Sequence, residues 1–151
     1  MRIPPVLVLV AAVSLSVTAA RIDPLASASV ELQVLGALVA IVGSATALAG
    51  VLAFRHQRTT VDPRYPERAS ALVANGIDRW TRNPMYVGFV CVGIGAAVAL
   101  GSLLALAGPA ALALYLDRVQ IPAEERALRE RFGQSFHSYV LSVRRWFGRR
   151  N

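Results

Sequence analysis

From Met85 to Leu116, about 32 residues pass without a charged side chain. A bilayer core about 30 Å thick is crossed by about 20 helical residues, so this run is too long for one ordinary span and marginal for two. Gly101-Ser102 near its middle offers a tight reversal, and Gly108-Pro109 offers a kink instead. A reversal near Gly101 makes both arms long enough if the second continues to about Val119. The stretch therefore reads as a tight helical hairpin with arms over about 85–100 and 103–119.

Two more apolar runs precede it. Val30 to Phe54 is long enough to cross with some tilt, and only Glu31 and Gln33 at its start are polar. Gly36, Gly43, Ser44, Ala47 and Gly50 recur at helical spacing, forming a face that a second helix can approach closely. Ile3 to Ala20 follows a single basic residue, Arg2, and ends in Val17-Thr18-Ala19-Ala20. It reads either as a first span over about 3–20, begun by Pro4 and Pro5, or as a cleaved signal with a small-residue site; a chain that is otherwise membrane-bound gains little from a signal, which favours the span. Composition agrees: 55% hydrophobic residues, 17% charged and a mean hydropathy of +0.49 are outside the ordinary soluble range. The expected architecture is an all-α membrane protein, a single domain over 1–151 with about four transmembrane helices.

Between the spans lies a polar loop over 55–82, broken by Asp62-Pro63 and Tyr65-Pro66, with one short interfacial helix expected near Glu67–Val73. From Asp117 the chain becomes polar again. Pro122, Glu124 and Glu125 suit a helix's first turn, and Leu128, Phe132, Phe136, Tyr139 and Val143 share one face. This predicts a helical C-terminal segment over 120–151, interrupted at Gly133. All sixteen basic residues are arginine, giving a net charge of +7. Six fall in the 55–82 loop and eight between Arg118 and Arg150, against one between Arg21 and Ser29 and none at Gly101. The positive-inside rule then places both rich segments, and both termini, on the cytoplasmic side of what we read as a prokaryotic cytoplasmic membrane.

The pattern also argues against several classes. The arginines cluster beside apolar spans and form no stripe interleaved with exposed aromatics, so nucleic acid is not the expected partner. Cys91 is the only cysteine, which leaves no intramolecular disulfide, and its plain reading is a small apolar side chain in a helix. His56 and His137 stand alone, and no metal site is expected. No nucleophile elbow or phosphate-binding glycine loop is present.

The candidates for chemistry lie at the two charged borders. Arg82-Asn83-Pro84-Met85-Tyr86 reads as a positively anchored helix start, or as a binding set in which an arginine fork holds a carboxylate and a tyrosine faces a flat or cationic ligand. Glu124-Glu125 reads as first-turn acids or as functional carboxylates. Gly93-Ile94-Gly95 reads as helix packing, or as backbone left open to a ligand. Arg144, Arg145, Arg149 and Arg150 suit anionic lipid head groups, with one of the first two free to turn inward.

In order and spacing these features resemble the isoprenylcysteine carboxyl methyltransferase family, which is related to the phospholipid methyltransferases and has many small bacterial members. The similarity covers roughly Thr59 to Trp146. It runs through Thr59-Thr60-Val61-Asp62-Pro63, Asn75-Gly76-Ile77, Arg82-Asn83-Pro84-Met85-Tyr86-Val87-Gly88, Gly93-Ile94-Gly95, Pro122-Ala123-Glu124-Glu125, Phe132-Gly133 and Tyr139. The resemblance implies a multi-span enzyme that binds S-adenosylmethionine between its membrane helices and its cytoplasmic C-terminal segment. Arg82, Asn83, Pro84 and Tyr86 match the family's Arg-His/Asn-Pro-x-Tyr motif and would line that site. Gly93 and Gly95 match the glycine pair associated with the cofactor in the phospholipid branch, and Glu124 and Glu125 the paired acids. Phe136 and Asp78 depart from the pattern, each replacing a tyrosine that many relatives carry, which bears on the substrate.

Elementary chemistry is compatible with that expectation. S-adenosylmethionine presents a carboxylate, an ammonium, a sulfonium and a flat adenine; Arg82, Glu124 or Glu125, and Tyr86 or Trp80 are complementary types. The expected acceptor is lipid-like or prenylated and enters from the bilayer. A carboxylate acceptor needs a cation such as Arg145, while an amine or hydroxyl needs a base, for which Glu125 is available. Arg82, Glu125 and Arg145 are thus the expected catalytic residues. An inactive relative acting as a membrane accessory or assembly protein is the alternative. A small transporter is disfavoured because the spans lack an ionisable residue.

Overall fold

The computed structural model describes residues 3–56, 72 and 76–149. Five α-helices account for most of them: α1 (Pro5–Ile22), α2 (Val30–His56), α3 (Pro84–Ala99), α4 (Ala107–Tyr115) and α5 (Ile121–Ser142). Proline sets two of the starts, Pro5 opening α1 and Pro84 opening α3, where the missing N–H costs nothing. Short 3-10 turns lie at Gly76–Arg79 and Leu104–Leu106. A π turn at Leu116–Gln120 joins α4 to α5.

Helices α2 and α3 run antiparallel with their backbones in contact. A Cβ placed on Gly43 would stand 2.7 Å from the Gly88 carbonyl oxygen, and one on Gly95 would stand 2.5 Å from that of Gly36. Gly50 meets Pro84 in the same seam. Small residues permit this approach, which replaces the missing hydrophobic drive between apolar helices with dense packing and close dipoles. Gly36, Gly43, Ala47 and Gly50 are buried in the seam as their spacing predicts. Ser44 is exposed instead, because one residue on from Gly43 rotates it about 100° away.

The chain turns back after α3 through Gly101, whose φ of +58° suits glycine. The turn closes on the α1–α2 connection: Ser27 N donates to Gly101 O at 2.9 Å, and Ser102 Oγ donates to Asp23 Oδ2 at 2.5 Å. That hydroxyl and the Leu25 N–H hold the Asp23 carboxyl below its ordinary range. Helix α4 then packs against α1. Ser16, fully buried, donates to Ala105 O at 2.7 Å and to Ala12 O at 3.2 Å, so its hydroxyl is satisfied inside an apolar span.

Three helical segments are long and apolar enough to cross a bilayer: Pro5–Ile22, Val30–His56 and Leu104–Ser142, the last running through α4, the π turn and α5. Helix α3 is shorter, 16 residues, or about 24 Å. Val6, Leu7 and Val10 on α1 and Leu38, Ile41 and Val42 on α2 face outward. Such surface is costly in water and ordinary in lipid.

One boundary differs from the sequence reading, and the interruption at Gly133 falls where it was expected. The helix does not stop near Val119 before a separate 120–151 segment; it continues through Ser142, because Pro122 falls where the π turn has already loosened the i→i+4 ladder. At Gly133 it bends sharply, with φ +50° and ψ −119°. The interfacial helix expected near Glu67–Val73, together with the Thr59–Pro63 and Asn75 motif positions, lies outside the described residues apart from Leu72.

Candidate functional site

The starts of α1 and α3, the π turn and α5 meet at one end of the bundle, opposite the Asp23–Ser102 contact. Tyr86, Leu112, Leu116 and Ile121 form the apolar floor there, with Val8, Leu9, Phe89 and Trp146 against it. Above this floor stands a cluster of charges. Arg82 Nη2 lies 3.1 Å from Glu125 Oε1, with side chains only 7% and 16% exposed. Arg145 grips the same carboxylate with two prongs, Nε to Oε1 at 3.2 Å and Nη2 to Oε2 at 2.8 Å. Its remaining nitrogen, Nη1, reaches Asp117 Oδ1 at 3.0 Å. Trp146 Nε1 donates to that same Asp117 oxygen at 2.9 Å. The two carboxylates hold the Arg145 guanidinium above even its usual range.

The π turn makes this geometry possible. Eight residues along an α-helix leave two side chains about 80° apart. One extra residue in the ladder absorbs about that rotation, so the eight residues from Asp117 to Glu125 approximate two full turns and both carboxylates reach one guanidinium. Nothing in residue type marks the π turn, so Asp117 could not be placed at the site from sequence.

Beside this pair, Tyr86 Oη donates to Glu124 Oε1 at 2.5 Å and Gln120 Nε2 donates to the same oxygen at 2.6 Å. Both partners are almost wholly buried. Gln120 is a second residue that composition gave no reason to choose.

After Val143 the chain becomes extended and crosses the mouth of the bundle. Arg82 N donates to Arg144 O, and Gly148 N to Trp80 O at 2.7 Å. Asn83 Nδ2 donates to Arg145 O at 3.0 Å, so Asn83 positions Arg145 through its backbone. Thr81 Oγ1 also donates to Arg145 O at 3.3 Å and accepts from Asn83 N at 3.1 Å. Pro84 is buried at the α2 seam.

Arg82, Asn83, Tyr86, Glu124, Glu125 and Arg145 are therefore brought together. Gly93 and Gly95 are not beside them: a Cβ added at Gly93 would stand 3.2 Å from Pro109 Cβ and Gly95 faces Gly36, both as helix-packing positions about two turns deeper. Trp80 is 62% exposed on the outer surface. His56 and His137 are exposed, and Cys91 sits half-buried beside Gly43.

Asp78, one of the two departures from the family pattern, is 1% exposed. Its backbone carbonyl accepts from Tyr139 Oη at 2.7 Å, while its Oδ2 has no hydrogen-bond partner among the described residues. Burial pushes its carboxyl from 3.8 up to about 7. The folded state thus binds a proton that the unfolded chain releases between those values, so stability is highest below about pH 4 and declines as pH rises to about 7 on this account. Asp78→Asn should remove that slope and raise the unfolding temperature in detergent at pH 8, with little change at pH 4; an unaltered pH profile would refute the assignment. Phe136, the other departure, is buried with Tyr139 and Val143 against Leu128, Phe132 and Leu72, the face that periodicity predicts.

No curated protein and no solved structure matches the chain. The family model described as phospholipid methyltransferase matches residues 32–135, from the start of α2 to just past the Gly133 bend. The match covers Arg82, Tyr86, Glu124 and Glu125 and stops short of Arg145. It is broader than the isoprenylcysteine-type resemblance, whose members fall within the same family. Over more than half its length this chain carries the family's pattern, and it belongs to the phospholipid methyltransferases, membrane enzymes that use S-adenosylmethionine.

Proposed function

We propose that the cluster at the charged end is the methyl-transfer site, and that its acceptor is a lipid-like or prenylated molecule that reaches it from the bilayer. The observation that carries this reading is the convergence of Arg82, Glu125 and Arg145 on one another above the apolar floor of Tyr86, Leu116 and Ile121. The donor set fits S-adenosylmethionine: guanidinium for its carboxylate, buried carboxylates for its ammonium and sulfonium, and apolar and aromatic surface for its adenine.

When bound, S-adenosylmethionine supplies an electrophilic methyl group on a sulfonium. The protein's part is to hold, align and exclude water. Arg82 binds and orients from the start of α3. Tyr86 and Gln120 fix Glu124 through two short hydrogen bonds, so that carboxylate need not reorganise as charge moves. Glu125 has both oxygens engaged by arginines, and accepting a proton from an amine or hydroxyl acceptor requires one of them to withdraw. Arg145 is the side chain placed to hold a carboxylate acceptor if it leaves Glu125. Both arginine-rich ends face the cytoplasm in this reading, following the positive-inside rule.

Purified protein incubated with radiolabelled S-adenosylmethionine and a lipid extract should transfer label to an extractable lipid, whose identity names the acceptor. Folded protein that binds the cofactor and labels no lipid would refute the acceptor class. Folded protein with no cofactor affinity would refute the site.

A further inference from the structure

A cleft with a volume of about 320 Å3 lies beside the part of α5 that follows Gly133. Leu72, Arg79, Ser135, Ser138, Tyr139, Ser142, Val143 and Arg149 line it, and no acid is among them. Three features of the fold build it. The bend at Gly133 redirects the helix, and beyond it Ser135, Ser138 and Ser142, three and four residues apart, present one face. Arg79, at the end of the 3-10 turn Gly76–Arg79, also lines it. The antiparallel bridge between Val143 and Arg149 folds the chain back and brings Arg149 to the cleft.

Four of the side-chain donors lining this cleft, those of Arg79, Arg149, Ser135 and Ser138, are uncommitted among the described residues, while Tyr139 Oη donates to Asp78 O. Neither Arg79 nor Arg149 takes part in an ion pair among the described residues, and the hydroxyls of Ser135 and Ser138 make no hydrogen bond there; Ser142 Oγ donates to Tyr139 O at 3.0 Å. Two arginines and three serines lining one cleft with Tyr139 and Val143 are donor types that match a tetrahedral oxyanion with several acceptor oxygens. The volume is at the lower end for small-molecule sites. Trp80, Leu141 and Phe147 are 62%, 56% and 67% exposed close by in sequence. Large apolar side chains beside arginines are what the boundary between head groups and acyl chains selects.

We propose that this cleft is a phosphate-ester site, separate from the methyl-transfer cluster, which takes the phosphate of an anionic bilayer lipid and ties the bent end of α5 to the membrane surface. It requires no methyl transfer and stands apart from the identity of the acceptor.

The test is calorimetric titration of lysophosphatidic acid into the protein in neutral maltoside micelles, without S-adenosylmethionine. Saturable binding is expected at one site, weakened about fivefold by Arg79→Gln or Arg149→Gln and about 25-fold by the double variant, at about 1 kcal/mol per arginine. Ser138→Ala gives a milder loss in the same direction. Arg129→Gln, an exposed change of equal charge elsewhere on α5, should leave binding unchanged, and a monoacylglycerol of the same chain length should not bind. Competition by inorganic phosphate at comparable concentration would identify a soluble phosphate as the ligand and overturn the lipid anchor, and its failure to compete supports the lipid. Equal weakening by Arg129→Gln would show only diffuse charge attraction and overturn the site, as would equal binding of the monoacylglycerol or an unaffected double variant. Cofactor affinity, measured on the same variants, reports separately on the methyl-transfer cluster.

Discussion

Gly88→Val is expected to prevent α2 and α3 from assembling. A Cβ at position 88 would stand 2.6 Å from Ala47 N and 2.7 Å from Ala47 Cβ, and closer still to Gly43 O. Two of these three atoms are backbone, so no rotamer relieves the clash and the helices must separate. Overpacking a core costs typically 1–3 kcal/mol; here the whole seam moves, since Gly36, Gly43, Gly50 and Gly95 share its spacing. The protein should appear in the membrane at reduced level and lose its monodisperse peak in detergent, or unfold at least about 10 °C lower. Ser44→Val, adjacent to Gly43 and exposed, should change neither measurement. A monodisperse Gly88→Val protein with an unfolding temperature within about 2 °C of the parent would show that the contact is not needed.

Glu125→Gln is the second large effect. The carboxylate is shared by Arg82 at 3.1 Å and Arg145 at 2.8 Å, and its removal leaves two poorly solvated guanidiniums facing an amide. Removing one partner of a buried ion pair costs about 3–5 kcal/mol, and the partial exposure of Arg145 reduces that figure here. Calorimetry in detergent should show S-adenosylmethionine affinity reduced at least about tenfold, equivalent to about 1.4 kcal/mol. Arg82→Ala should produce a comparable loss from the other side of the pair. Thermal unfolding of both variants separates lost binding from lost folding. Unchanged affinity in two folded variants would remove the cluster from consideration as the cofactor site.

The positions of these effects explain how much could be read in advance. Apolar runs over 3–20 and 30–54, a long charge-free run from Met85 and an apolar face from Leu128 to Val143 report local requirements: enough length to cross, enough small residues to approach, one face for the core. Hydrophobicity and 3.6-residue periodicity carry that information along the chain, so the helices and the α2 seam were legible. Motif spacing likewise joined Arg82, Asn83 and Tyr86 to Glu124 and Glu125 through their family pattern. Gly93 and Gly95 belonged to the same pattern, and their packing reading and their ligand reading remain the same sequence; only their neighbours, Pro109 and Gly36, distinguish where they sit.

What the sequence determined, then, is which segments are helical and apolar and which charges stand at their ends. The tertiary structure decided which charges meet. Asp117 and Gln120 join the site because a π turn inserts one residue into a helix whose amino acids give no sign of it, and Arg145 joins because an extended crossing, fastened at Arg82, Asn83 and Trp80, carries it back over Glu125. Those outcomes depend on rotation about a helix axis and on hydrogen bonds between residues more than sixty positions apart, and neither is written in any local stretch of the chain.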